Sequence, residues 1–120
     1  MPVLVTASAT WTDPLPIRRD LGDLAGRACW EFVVIHGGAD GGDKIAGQWV
    51  ADQRRCGNDS VREECHRANW KLHGRAAGIV RNVEMVRAGA DVCLPYTRDD
   101  SRGATHCAKT AEAAGWPDNI

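Results

Sequence analysis

The residues best suited to chemistry lie in a glycine-rich turn that follows His36. Four glycines fall within six residues, at Gly37, Gly38, Gly41 and Gly42. Glycines let a backbone approach a ligand closely, and the unpaired N–H groups of a following helix favour an anion. The spacing fits neither the P-loop nor the dinucleotide fingerprint. The turn therefore either holds a phosphate or carboxylate or only turns the chain tightly.

Two polar side chains flank the glycines, and each has two interpretations. Asp43 is suited to cap the helix that follows, whereas in a ligand site it would bind ribose hydroxyls. His36 could act as an acid or a base near neutral pH, although a histidine at the end of a buried strand is more often structural. The pattern leaves both choices open.

Two further loops carry candidate ligand contacts. Residues 95–105 lead into a helix of small residues, so their polar members either form a second anion-binding loop or cap that helix. These members are Ser101, Arg102, Gly103 and Thr105. Trp11 and Trp70 are placed to stack on a base, unless they belong with the core tryptophans.

The segment 75–88 predicts a helix with one arginine among small and apolar residues. Helical spacing places five residues on the sheet: Ala76, Ile79, Val80, Val83 and Val86. The opposite side carries Arg81, Met85 and four small residues, so a subunit, a ligand or both should cover it. Arg81 would bind a phosphate or carboxylate, or pair with Glu84. We expect a homodimer through this helix.

These residues require a scaffold that brings their loops together. Predicted strands at 3–6, 32–35, 60–65 and 92–94 alternate with amphipathic segments, which predicts parallel βαβ units. The third strand is polar and should lie near an edge. Thr12 or Asp13 would cap the first helix. That helix has an apolar stripe of Leu15, Ile17, Leu21 and Leu24.

The predicted fold is a single α/β domain over residues 1–120. It is Rossmann-like and three-layered, with a mostly parallel sheet of four to five strands and helices on both faces. Ligands of such folds bind beyond the carboxyl ends of the strands. The loops 7–13, 36–43, 66–74 and 95–105 converge there.

The net charge, the apolar runs and the cysteines of the sequence argue against several classes of function. The formal net charge of −1 argues against bulk nucleic-acid binding, which favours a strongly basic face. The sequence shows neither a membrane-spanning run nor a signal peptide, so we expect a cytoplasmic protein without a membrane partner. Five cysteines without framework spacing favour reduced thiols. Because Cys56, Cys65, His66 and His73 match no zinc pattern, we expect neither a metal nor another cofactor.

Several motifs together resemble a known family. They are Val5-Thr-Ala-Ser-Ala-Thr-Trp-Thr-Asp13, His36-Gly-Gly-Ala-x-Gly-x-Asp43, Asn69-Trp70, Arg81-Asn82-x-Glu84-Met85 and Gly89-Ala-Asp-Val-Cys-Leu94. In order and spacing they are similar to the YspA-type, cpYpsA-related branch of the SLOG superfamily. The resemblance implies a Rossmann-like domain whose cleft binds nucleotide-derived ligands, with Ser8 and Asn82 among the ligand-binding residues.

The better understood relatives are the Lonely guy phosphoribohydrolases, which cleave the bond between a base and ribose 5'-phosphate. Arg81 and Met85 match the relatives' helix, on which the arginine lies at the ligand. The relatives' catalytic glutamate has no counterpart after Gly103. Glu84 is the acid nearest to Arg81 in the sequence, so Arg81, Glu84 and His36 are the candidate catalytic residues.

The expected function is binding of a nucleotide or a nucleotide-derived small ligand, with N-glycosidic hydrolysis as a catalytic form of it. One alternative is a sensor or sequestering module that binds a nucleotide signal without turnover, in a phage or anti-phage setting. Another is a structural homo-oligomer with a vestigial cleft. Of these three, nucleotide-ligand binding is the leading interpretation; product formation would distinguish hydrolysis from sensing, and the absence of any stabilising nucleotide would favour the structural role.

Overall fold

The computed structural model describes residues 1–7, 10–28, 31–38, 41–74 and 77–96. Strands and helices alternate along these residues, as the hydrophobic pattern predicts. In chain order the elements are β1 (Pro2–Ala7), α1 (Pro14–Arg27), β2 (Phe32–His36), α2 (Gly42–Arg55), β3 (Val61–Cys65), the short α3 (Trp70–His73), α4 (Ala77–Ala88) and β4 (Val92–Tyr96).

The four strands form one parallel sheet in the order β3-β2-β1-β4. The register pairs Leu4 of β1 with Ile35 of β2 and with Cys93 of β4. The predicted α/β class with a parallel sheet is therefore confirmed. Because the chain steps outward from β1 to β3 and then returns to β4 beside β1, the sheet has a topological switch point between β1 and β4. Ligands of open α/β sheets bind beyond the carboxyl ends of the strands at such a point.

Helices cover both faces of the sheet. One core cluster joins α1 and α2 to the strands through Ile17, Leu21 and Trp49, and a second cluster places Met85 and Val86 of α4 on the opposite face. Asp13 caps α1, since its side chain accepts a hydrogen bond from the N–H of Leu15. The prediction that Leu15 belongs to the buried stripe is wrong, because its side chain is 72% exposed. At about 100° per residue, Leu15 lies roughly 200° around the helix from Ile17, on the side of α1 that faces away from the core.

The rotation of α4 differs from the prediction. Val86 is buried as predicted, but Asn82 and Met85 are buried with it, whereas Val80 and Val83 are only half-buried. Ala76 and the side chain of Ile79 lie outside the described part of the molecule. Met85 was expected on the outer side and instead packs with Leu4, Ile35 and Cys93 of the sheet. The sequence of α4 places apolar side chains on most sides of the helix. Hydrophobic periodicity alone therefore could not determine which side faces the sheet. The expected homodimer through residues 75–88 stays a prediction.

The edge position of β3 agrees with its polar sequence. This strand is first in the sheet order, and four of its five residues are exposed. Arg62 forms an ion pair with Glu31 at 3.4 Å. Within the ranges that the structure describes, no helix is long and apolar enough to cross a bilayer.

Candidate functional site

The turn after β2 is closed by a carboxylate from the next helix. Asp43 is buried, and its Oδ2 accepts a hydrogen bond of 3.0 Å from the N–H of Gly37. Gly41 is the N-cap of α2, so the prediction that Asp43 caps this helix is wrong. Asp43 is the second residue of α2, and its side chain reaches back across the turn to the end of β2. The carboxylate therefore connects strand, turn and helix.

His36 holds the same turn from the opposite side. Its Nδ1 accepts a hydrogen bond of 2.9 Å from the N–H of Gly38, so the neutral ring carries its hydrogen on Nε2. That nitrogen is buried and lies 3.1 Å from Oε2 of Glu63, although the approach lacks the direction of a hydrogen bond. Gly47 of α2 makes room for this pair, because a Cβ there would lie 2.6 Å from the same Glu63 oxygen.

The backbone donors of the first two glycines are therefore already engaged. The Gly37 N–H donates to Asp43, and the Gly38 N–H donates to His36. A backbone amide has one hydrogen to donate. An anion at this edge would accordingly use the first turn of α2, whose N–H groups lack acceptors within the helix.

Each glycine of the turn has its own structural reason. A Cβ at Gly37 would lie 2.9 Å from Cζ of Arg81, and a Cβ at Gly42 would lie 2.1 Å from Cβ of Ala7. Gly38 and Gly41 have φ angles of 71° and 79°, a region that side chains disfavour. The contact between Gly42 and Ala7 places the start of α2 directly beside the end of β1.

Arg81 is the cation that α4 presents to this turn. Its guanidinium packs against Gly37, and its Nε and Nη2 donate to Oδ1 of Asn82 at 3.3 and 3.1 Å. The outer edge of the guanidinium, formed by the two Nη atoms, is the side that could meet a ligand in a bidentate pair. Among the described residues no ion pair joins Arg81 to Glu84, and Glu84 is exposed.

A polar depression of about 440 Å³ opens beside Gly38. Its described lining includes His36, Lys44, Glu63, Cys65 and Arg67. The sequence did not indicate Lys44 or Glu63 as site residues, and it indicated Arg67 only as a member of the loop 66–74, because the three belong to different segments. The alternation of β3 could have indicated that Glu63 and Cys65 share a face of that strand, but not that this face meets His36.

Cys65 is a poor nucleophile in this setting. Its Sγ lies against Gly38, where a Cβ would approach it to 2.7 Å. Cys65 is exposed overall, but partial desolvation of its thiol raises the pKa, and the carboxylates of Glu63 and Asp43 raise it further, against the opposing effects of Arg67 and Arg81. The sulfur therefore stays protonated at neutral pH. Among the residues that the structure describes, no three His, Cys, Asp or Glu side chains group closely enough to hold a metal ion.

A second depression, of about 450 Å³, lies between Trp11 and α2. Its described lining is Trp11, Thr12, Gly41, Lys44, Ile45 and Gln48. Nε1 of Trp11 donates to the carbonyl oxygen of Asp13 at 2.6 Å. The indole meets the ring of Tyr96 edge-on, with centroids 5.6 Å apart. Trp11 thus stands over the end of β4, at the switch point of the sheet.

Some of the predicted site residues lie outside the described residues. These are Ser8 after β1 and the second loop, Ser101, Arg102, Gly103 and Thr105. Trp70 begins α3, but its side chain is outside the described part of the molecule. The structure therefore brings together His36, the four glycines, Asp43, Arg81 and Asn82, with Trp11 on the other side of α2.

Comparisons with known proteins identify relatives of the chain. A model of the YspA, cpYpsA-related SLOG family matches residues 1–73, from β1 to the end of α3. The Gene 61 protein of Mycobacterium phage D29 is 46% identical over 115 residues, which are 96% of this chain and 91% of that protein. No solved structure matches. The family match includes the whole glycine turn and ends before Arg81.

Proposed function

Because the chain belongs to the YspA, cpYpsA-related SLOG family, we propose that it binds a nucleotide or a nucleotide-derived ligand at the carboxyl edge of its sheet. The anionic group of the ligand lies above the first turn of α2 and is contacted by Arg81. Two arguments support this proposal: the ligand class expected for the family, and the position at which open parallel sheets bind ligands.

The guanidinium of Arg81 is the observation that carries the proposal. It is half-buried, rests on Gly37 and is oriented by Asn82, so its outer edge is preorganised. A fixed, partly desolvated guanidinium binds a planar or tetrahedral anion more strongly than a mobile one, because less side-chain entropy is lost. Gly42 packs against Ala7 and brings the positive end of the α2 dipole to the same edge.

The described groups favour binding without turnover. A general base needs an unprotonated atom that can reach the substrate, but Nδ1 of His36 accepts from Gly38, and Asp43 is buried within the turn, where it accepts from Gly37. Glu84 is exposed on α4. We therefore place a sensor or sequestering role ahead of N-glycosidic hydrolysis, and the phage relative supports a phage setting for it.

A thermal-shift screen tests this proposal. Purified protein is heated with AMP, ADP-ribose, NAD, cyclic nucleotides or ribose 5-phosphate, because a bound ligand stabilises the folded state by mass action. Arg81→Gln should abolish a shift that the matched variant Arg87→Gln retains, since Arg87 is exposed on the same helix. Chromatography of the mixtures for free base then separates binding from hydrolysis. The proposal fails if no compound shifts the wild-type protein or if Arg81→Gln responds like Arg87→Gln.

A further inference from the structure

We propose that the depression between Trp11 and α2 receives the aromatic base of the ligand. This inference rests on the proposed function, and it adds the part of the ligand that gives specificity. Two depressions flank the first turns of α2, and Lys44 and Gln48 line both of them. They differ in the chemistry of the remaining walls, and this difference decides which of the two depressions suits a base.

The walls near Trp11 suit an apolar ring. The indole of Trp11 and the side chain of Ile45 form the apolar surface, while Thr12, Lys44 and Gln48 supply polar groups. A volume of about 450 Å³ lies in the range of small-molecule sites, which combine apolar walls with a few polar groups. The other depression carries Asp43, Glu63 and Arg67 and would desolvate several charges under a base.

The indole is fixed before any ligand arrives. Its Nε1 is held by the carbonyl oxygen of Asp13, and its edge contact with Tyr96 restrains the ring. Tyr96 is itself anchored, because its hydroxyl donates to Oδ2 of Asp20 at 2.8 Å. A restrained aromatic ring loses little entropy when a base stacks on it.

The depression is continuous with the anion position. Gly41, the N-cap of α2, lines the depression and also precedes the helical N–H groups that face an anion. Lys44 lies one turn along the helix, where its ammonium can donate to acceptor atoms on the base edge. A nucleoside monophosphate placed with its phosphate over the start of α2 can therefore direct its base toward Trp11.

Calorimetric titration with AMP, adenosine and ribose 5-phosphate tests the inference. Base stacking on an aromatic side chain corresponds to roughly a 5- to 150-fold gain in affinity, so AMP should bind at least about fivefold more tightly than ribose 5-phosphate. Trp11→Ala should bring the ratio close to one and leave the affinity for ribose 5-phosphate within about twofold. Leu15→Ala is the matched control, because Leu15 is exposed nearby and does not line the depression.

A second variant guards against misfolding. AMP should quench the tryptophan emission of the wild-type protein. Trp11→Phe retains an aromatic ring against Tyr96, so it should still bind AMP but lose this quenching. The inference is overturned if Trp11→Ala keeps the wild-type ratio, or if AMP quenches Trp11→Phe as it quenches the wild type. If AMP and adenosine bind but Arg81→Gln changes nothing, the base subsite stands and the anion part of the proposed function fails. If no probe binds, both fail.

Discussion

Replacing Gly42 with alanine tests the packing that positions the start of α2. The added Cβ would lie 2.1 Å from Cβ of Ala7, whereas unbonded carbons rest about 3.5–4.0 Å apart. The helix start would have to move by roughly 1.5 Å. Overpacking of this kind costs about 1–3 kcal/mol, and the higher helix propensity of alanine offsets less than about 1 kcal/mol of that. We expect Gly42→Ala to lower the free energy of unfolding by about 2 kcal/mol.

Urea unfolding followed by circular dichroism measures this loss as a lower midpoint at an unchanged slope. Gly22→Ala is the matched control: Gly22 also lies in a helix, and a Cβ there would meet nothing within 4 Å, so this variant should gain about 0.5–1 kcal/mol. Ala7→Gly should rescue Gly42→Ala, because it removes the methyl group that clashes. A midpoint for Gly42→Ala at or above the wild-type value, or a double variant without rescue, would refute the reasoning.

Two further predictions concern neighbouring contacts. Gly47→Ala should leave the free energy of unfolding within about 1 kcal/mol of the wild-type value. The added Cβ would come too close only to the end of the Glu63 side chain, which can swing away from His36. A loss as large as that of Gly42→Ala would contradict this prediction. Tyr96 is the only tyrosine, and burial together with the Asp20 carboxylate raises the pKa of its hydroxyl far above its usual value near 10. The folded protein should therefore show no tyrosinate absorbance at pH 11. The stability that the Tyr96 hydroxyl contributes below pH 10 should be lost as the pH rises toward the pKa of the folded state. At neutral pH, Tyr96→Phe should lower the free energy of unfolding by about 1–2 kcal/mol. Tyrosinate absorbance from the folded protein at or below pH 11 would contradict the prediction that the pKa of Tyr96 is raised.

The order of the strands and helices along the chain was predictable because local sequence patterns determine it: apolar runs, capping residues and glycine turns. The strands near residues 3 and 33 are β-branched runs and the strand near residue 93 is a short apolar run, while the sequence places the cap of α1 at Thr12 or Asp13, of which the structure uses Asp13. The polar third strand also occupies an edge, as its composition indicates. The glycine turn was identified as the organising feature, and the structure gives each of its glycines a separate contact or backbone angle.

The candidate site was predictable only in part. His36, Asp43 and Arg81 do lie around one turn, but the sequence suggested the wrong local partners for two of them. Asp43 binds the Gly37 amide rather than capping α2, and Arg81 meets Asn82 and Gly37 rather than Glu84. Spacing along a helix shows which residues can meet on that helix, whereas the contacts of Asp43 and Arg81 with Gly37 join a helix to the turn after β2.

The sequence by itself determined the element order, the parallel α/β class, the glycine turn and the family, because hydrophobic periodicity, turn residues and motif order are properties of the chain. Tertiary structure decided the rotation of α4, which buries Met85 and places Arg81 over Gly37. It also decided that Glu63 of β3 meets His36 of β2 beside Gly47 of α2. The physical reason is that periodicity orients an element about its own axis only where a polar face contrasts with an apolar one. Contacts between elements depend instead on how closely those elements approach: Gly42 lets the start of α2 approach the backbone of β1 at Ala7, whereas Gly37 and Gly47 leave room for the side chains of Arg81 and Glu63.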